Sequence, residues 1–133
     1  ELKTKIHDLG LSDVIKFSGA RTPARMPAVY NASDLQINLA PDGGLDKAVL
    51  EALSAGVPVL LSNRSFVETL GIYADKLMFK HRDSRDLADK MMTIIGSLDD
   101  DDRNAYLRQR IVDKHNLSKL VGGIVNTLAY GKN

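Results

Sequence analysis

Residues 45–61 constrain the fold more than any other stretch of this chain. Leu45, Ala48, Val49, Ala52 and Leu53 recur at i, i+3, i+4, i+7 and i+8, which is one face of a helix. Gly56 ends the repeat, and the nearly all-apolar run Val57-Pro58-Val59-Leu60-Leu61 follows at once. A strand with no polar alternation is covered on both faces. Pro58 offers no N–H to a ladder, so it belongs at the start of that strand. A helix leading directly into a doubly covered strand is half of a crossover unit, and such units build parallel sheets with helices on both sides.

The same alternation runs along the rest of the chain. Leu2, Ile6 and Leu9 space a first helix that stops at Gly10. Val14-Ile15-Lys16-Phe17-Ser18 reads as a strand closed by Gly19, and residues 23–32 as a short helix broken near Pro27. Leu35 to Leu39 form a second strand, followed by the turn Pro41-Asp42-Gly43-Gly44. Residues 65–70 make one helical turn or two, and Leu77-Met78-Phe79 a short fourth strand. Ser84 precedes a helix with Leu87, Met91, Ile94 and Ile95 on one side, and Asp99 to Asp102 stand where a helix N-terminus attracts negative charge. Ser118 is expected to cap a final helix with Leu120, Val121, Ile124, Val125 and Leu128 inside. The expected class is α/β, a Rossmann-like parallel sheet flanked by helices, forming one domain over residues 1–133. Four strands are few for such a domain, and the opening helix has no strand before it. One or more βα units are therefore expected upstream of Glu1.

Composition removes whole classes of function. The chain has 133 residues and no cysteine, which excludes thiol catalysis, cysteine-ligated zinc and iron–sulfur sites, and disulfides. Eighteen Lys and Arg against 17 Asp and Glu give a net charge of +1, which argues against nucleic acid as a partner. No apolar run approaches the roughly 20 residues that span a bilayer, and no signal peptide opens the chain, so a cytoplasmic location is expected. The four consecutive aspartates lack the alternating ligands and glycine of a calcium loop.

In doubly wound sheets, ligands bind beyond the carboxyl ends of the strands. Here those ends carry the loops 19–23, 40–47 and 62–65. In the middle one, Asp42, Gly43 and Gly44 lead into a helix whose first-turn N–H groups have no intrahelical partner and carry the positive end of the dipole. Physics thus favours an anion such as phosphate at Gly44, Leu45 and Asp46, although on spacing alone a simple tight turn at Gly43-Gly44 is the plainer reading. Neither a Walker loop nor a dinucleotide fingerprint is present. Glu51, one helical turn beyond Lys47 and among Ala48, Ala52 and Ala55, is placed either to accept two hydrogen bonds from a diol or to pair with Lys47 at the surface. His7, His81 and His115 have no partner spacing and read as surface residues, and no serine stands in a nucleophile elbow. Arg21, Arg25 and Arg64 fall near the ligand edge.

Three stretches together, residues 9–19 (LGLSDVIKFSG), 26–34 (MPAVYNASD) and 41–59 (PDGGLDKAVLEALSAGVPV), resemble the C-terminal, nucleotide-sugar-binding domain of group 1 retaining glycosyltransferases with the GT-B fold. The resemblance implies that the chain is the C-terminal part of the donor-binding half of a two-domain enzyme. The family signature is a pair of glutamates eight residues apart, the second on the donor's ribose hydroxyls and the first near its sugar. Glu51 stands at the second place, and Gly43 at the first, which departs from the pattern. Asp42 and Asp46 are the nearest candidates to replace the missing carboxylate, and Lys47 is a candidate to face the phosphates. The resemblance places the diphosphate on backbone N–H groups of Gly44, Leu45 and Asp46, and the nucleotide base against Gly19, Ala20 and Arg21. Glu68 matches a recurrent family glutamate with a structural or phosphate-side role.

These relations imply transfer of a sugar from a nucleoside-diphosphate sugar, UDP- or GDP-linked among the options, in polysaccharide or glycolipid synthesis. No metal or cofactor is expected, because protein groups would neutralise the leaving diphosphate. The acceptor would be held by an N-terminal domain not in this chain, as would any membrane contact. No catalytic residue is assigned within residues 1–133, and the chain by itself is expected to be inactive. Competing readings are a non-catalytic nucleotide- or sugar-binding module, a sugar-nucleotide 2-epimerase of the same fold, and an unrelated flavodoxin-like signalling domain.

Overall fold

Two short parallel strands organise the chain in the computed structural model, which describes residues 1–130. Helix α1 (Leu2–Asp8) comes first, and then a 3₁₀ turn (Pro23–Arg25) runs into α2 (Met26–Asn31). Strand β1 (Gln36–Asn38), helix α3 (Lys47–Ser54) and strand β2 (Val59–Leu61) form the crossover unit read from the sequence. Five helices complete the described residues: α4 (Val67–Leu70), α5 (Ala74–Leu77), α6 (Ser84–Ile95), α7 (Asp101–Lys114) and α8 (Leu117–Tyr130). The register pairs Gln36 with Val59, Ile37 with Leu60 and Asn38 with Leu61. Leu77-Met78-Phe79 adds a single parallel bridge, Leu61 with Met78, rather than a full strand.

The helix-to-strand junction forms for local reasons. At the C-terminus of α3, Gly56 adopts φ +82°, its N–H donates to the Leu53 carbonyl at 3.1 Å, and Val57 N–H donates to Ala52 at 3.0 Å. This is a Schellman closure, which needs a left-handed residue and so favours glycine. Pro58 lies just before β2 and gives its carbonyl to Gln36 N–H, so its missing donor costs nothing. All three residues of β2 are buried, in contact with α3, α5 and α6. Val49, Ala52 and Leu53 of α3 meet Leu107 and Ile111 of α7, and Phe66, Leu70, Leu77 and Ile94 complete one core. Arg103 is buried without a carboxylate; its guanidinium donates to Ser97 O at 2.9 Å, Leu98 O at 3.2 Å and Asn104 Oδ1 at 3.1 Å, and so locks the α6–α7 turn.

Several expectations are corrected. Val14 to Ser18 form no strand: Val14 and Ile15 donate back to Leu11, and Val14 is 74% exposed. An alternating sequence becomes a strand only where a ladder partner meets it, and none of the described residues pairs with this one. Pro27 does not break α2 but sits in its first turn, where proline is tolerated. Helix α6 is capped by Asp83, whose carboxylate accepts from Arg85 and Asp86 N–H, rather than by Ser84. Asn116, not Ser118, accepts from the N–H groups of Ser118 and Lys119 at the start of α8. The apolar residues of α8 expected inside, Leu120, Val121, Ile124, Val125 and Leu128, are exposed. The acidic cluster behaves as expected: Asp100 caps α7 at Arg103 N–H, with Asp101 and Asp102 in its first turn.

Candidate functional site

The Gly-rich loop between β1 and α3 is tied down by its carbonyls. Asn63 Nδ2 donates to Gly44 O at 3.0 Å, Ser65 Oγ donates to Gly43 O, and Arg64 N–H donates to the Asp42 carboxylate at 2.6 Å. Asn63 is itself buried and caps its own turn by accepting from Ser65 N–H. The loops 40–47 and 62–65, both predicted for the ligand edge, are thereby brought together. With the carbonyls turned to residues 63–65, none of the backbone N–H groups of Gly43, Gly44, Leu45, Asp46 and Lys47 donates to a protein acceptor among the described residues. Neither Gly43 nor Gly44 has a left-handed backbone, and a Cβ at either would meet open space. Backbone strain in the turn therefore does not require glycine there.

Helix α3 starts two residues later than its periodicity indicates. Gly44 and Leu45 lie in the loop, and Asp46 is the N-cap, so these three residues precede the first turn rather than form it. Both oxygens of Asp46 are engaged: Oδ1 accepts from Ala48 N–H at 3.0 Å and Oδ2 from Asn38 Nδ2 at 2.8 Å. Asp46 acts as a structural cap, joined to β1 through Asn38.

One turn into α3, Lys47 Nζ and Glu51 Oε1 lie 3.2 Å apart, the surface pair that the i,i+4 spacing allows. Tyr30 of α2 adds what sequence reasoning did not foresee: its hydroxyl donates to Glu51 Oε2 at 3.0 Å. Burial, then the Glu51 carboxylate, push the Tyr30 phenol up to about 12, so it remains a donor at neutral pH. The one sequence signal was its place just before residues 31–34 (NASD). Glu51, Tyr30 and Lys47 line a cavity of about 520 Å³, whose walls include Pro23, Met26 and Leu50.

Gly19, Ala20 and Arg21 are exposed and make no hydrogen bond within the described residues; Gly19 turns the chain with φ +68°. The next turn brings Pro23, not Arg21, to the Glu51 cavity. Glu68 is exposed and ion-pairs with Lys114, which by hydrogen bond and charge holds its carboxyl below the usual glutamate range. A larger cavity of about 820 Å³ lies at the strand ends and includes Asp42, Ser62, Arg64 and His81. There Ser62 Oγ donates to Ala40 O at 3.1 Å, so its contact with His81 at 3.3 Å is one in which Nδ1–H donates. His115 faces the Thr69 hydroxyl at 3.3 Å and borders the Glu51 cavity. Among the described residues, no three acidic or histidine side chains converge as a metal site requires, and no helix is long and apolar enough to cross a membrane.

Residues 1–111 match the family model described as glycosyl transferases group 1. The chain belongs to that family. A solved structure, a sucrose-phosphate synthase from Thermosynechococcus elongatus, resembles it over 99% of this chain at a TM-score of 0.83 with 17% sequence identity. At that identity the likeness is one of fold, and it assigns the group 1 chain to the GT-B architecture. The chain spans about a third of that structure's length, 34%. No curated protein matches it. The family match takes in the Gly-rich loop, Tyr30, Lys47 and Glu51, and ends within α7 before His115 and α8. Of the two neighbours that are candidates to replace the carboxylate absent at Gly43, Asp46 accepts one hydrogen bond on each oxygen, and Asp42 accepts from Arg64 N–H through Oδ1.

Proposed function

We propose that this chain holds the nucleoside-diphosphate part of a sugar donor, as the donor side of a retaining glycosyltransferase that builds polysaccharide or glycolipid in the cytoplasm. One observation carries the reading: a run of backbone N–H groups with no acceptor among the described residues, Gly43 to Lys47, leads into the helix that bears Glu51. Such groups at the positive end of a helix bind phosphate oxygens. Glu51, at the edge of a cavity with apolar walls, accepts the ribose hydroxyls, and Lys47 adds positive charge. During transfer the bond from the sugar to the diphosphate breaks through an oxocarbenium-like state, and negative charge builds on the departing phosphate. Fixed N–H dipoles and Lys47 stabilise that charge without a metal ion. The acceptor and the remaining basic groups belong to parts of the two-domain enzyme outside this chain, so residues 1–133 alone bind donor without turning it over.

The test is an NMR titration with UDP, GDP and ADP, repeated on Glu51→Ala. Shifts clustered at residues 19–23 and 43–51 that weaken in the variant support the reading and name the base; an absence of shifts with every nucleotide overturns it. Insensitivity of binding to EDTA is expected, and loss of binding on chelation would refute the metal-free account.

Gly43 favours a second reading, a binding module without turnover. A Cβ at 43 meets no atom within 4 Å, and Gly43→Glu in the full-length protein tests this reading. A gain of transfer from an inactive parent supports the module reading, and full activity in the unmodified protein rejects it.

A further inference from the structure

The Glu51 carboxylate reaches its cavity already held at both oxygens, by Lys47 at 3.2 Å on Oε1 and by Tyr30 at 3.0 Å on Oε2. A carboxylate carries about four lone-pair sites, two on each oxygen. One on each is taken, which leaves one on each for a ligand. The two donors differ in kind. Tyr30 is 6% exposed and packed in the core, so its hydroxyl has a fixed position, whereas the Lys47 side chain is 83% exposed on a flexible stem. The terminal torsion of a glutamate is broad and two-fold, so without a rigid donor the carboxylate plane would rotate.

We propose that Tyr30 is a positioning residue that fixes the Glu51 carboxylate so that its two free lone pairs match a vicinal diol, making the site selective for ribonucleotides over 2′-deoxyribonucleotides. The inference rests on the reading of Glu51 as the ribose-binding group. A fixed carboxylate offered a sugar with one hydroxyl leaves one lone pair unused by the ligand, and a site shaped for two hydroxyls rejects the analogue that lacks one. A rotating carboxylate loses this discrimination, because it realigns on the single hydroxyl. The phenol serves as the donor across the physiological range, since burial and the carboxylate keep it protonated.

The experiment compares equilibrium binding of ADP, GDP and UDP with that of their 2′-deoxy forms, on the full chain and on Tyr30→Phe, Lys47→Met and Glu51→Ala. The unchanged chain is expected to prefer the ribonucleotide about tenfold, the worth of one hydrogen bond to a charged group. In Tyr30→Phe the preference falls to within about twofold, while the ratio of diphosphate to monophosphate binding, which the Gly-rich loop sets, stays as it was. A merely structural role for Tyr30 would lower all affinities together and leave the preference intact. Lys47→Met weakens binding but keeps the preference; loss of preference there and not in Tyr30→Phe would assign the orientation to Lys47 and overturn the proposal. Retention in Tyr30→Phe with loss in Glu51→Ala would also overturn it, yet leave the ribose role of Glu51 standing. An unchanged preference in Glu51→Ala, or no nucleotide binding by the unchanged chain, would remove both.

Discussion

The side-chain amide of Asn38, at the end of β1, donates to the Asp46 carboxylate at 2.8 Å, and the other oxygen of that carboxylate caps α3. One residue thus links strand end to helix start and sets where the Gly-rich loop must close. Asp46→Ala removes the cap and leaves the Asn38 amide without its partner, and should cost about 1–2 kcal/mol. Urea denaturation measures this, and a change below a few tenths would show that the link carries no stability.

Asn63 has a similar double task, since it holds the Gly44 carbonyl and caps its own turn from a buried position. Asn63→Ala should destabilise by about 1–3 kcal/mol. Because the loop N–H groups are oriented through those carbonyls, the milder variant Ser65→Ala should weaken nucleoside diphosphates more than nucleosides. Equal weakening of both would detach the loop from phosphate binding.

Two glycines make opposite predictions. Gly71 has φ +56°, and a side chain there would run into the Tyr106 hydroxyl and the Arg110 guanidinium. Gly71→Ala should therefore cost more than about 1 kcal/mol, part of it recovered when Tyr106→Phe is added. Gly43 is neither left-handed nor crowded, so Gly43→Ala should stay within about 0.5 kcal/mol of the parent. Thermal unfolding of the three variants distinguishes the cases.

The pH dependences of Tyr30 and Glu68 run in opposite directions. The folded Tyr30 phenol titrates near 12, above its ordinary value of 10.0, so its stabilising share is complete below pH 10 and disappears as pH rises through 12. Tyr30→Phe should flatten the loss of stability over that window. Glu68 is lowered by Lys114, so any share it contributes is present above the usual glutamate range and is lost as pH falls. Solvent around the exposed Glu68 carboxylate screens that pair, so it should be visible by NMR titration of the Glu68 carboxyl rather than in stability, and Lys114→Ala should return the carboxyl toward its ordinary range.

What could be read from the sequence was local. The Schellman closure at Gly56, the placement of Pro58, the acidic start of α7 and the Lys47–Glu51 pair all depend on residues within a few positions of one another. Helix starts were harder, because a carboxylate or amide one or two places upstream competes for the same N–H groups, and Asp83 and Asn116 won over Ser84 and Ser118.

By itself, the sequence determined the α3–β2 unit, its parallel class and the family, since periodicity and turn chemistry act along the chain. Only the tertiary structure decided that Tyr30 would reach Glu51, that Asn63 and Ser65 would take the Gly43-Gly44 carbonyls and leave the loop N–H groups without an acceptor among the described residues, and that none of those residues would form a ladder with Val14 to Ser18. Those outcomes join residues about twenty apart or hinge on a ladder partner, and no pattern within a segment specifies which distant group will meet it.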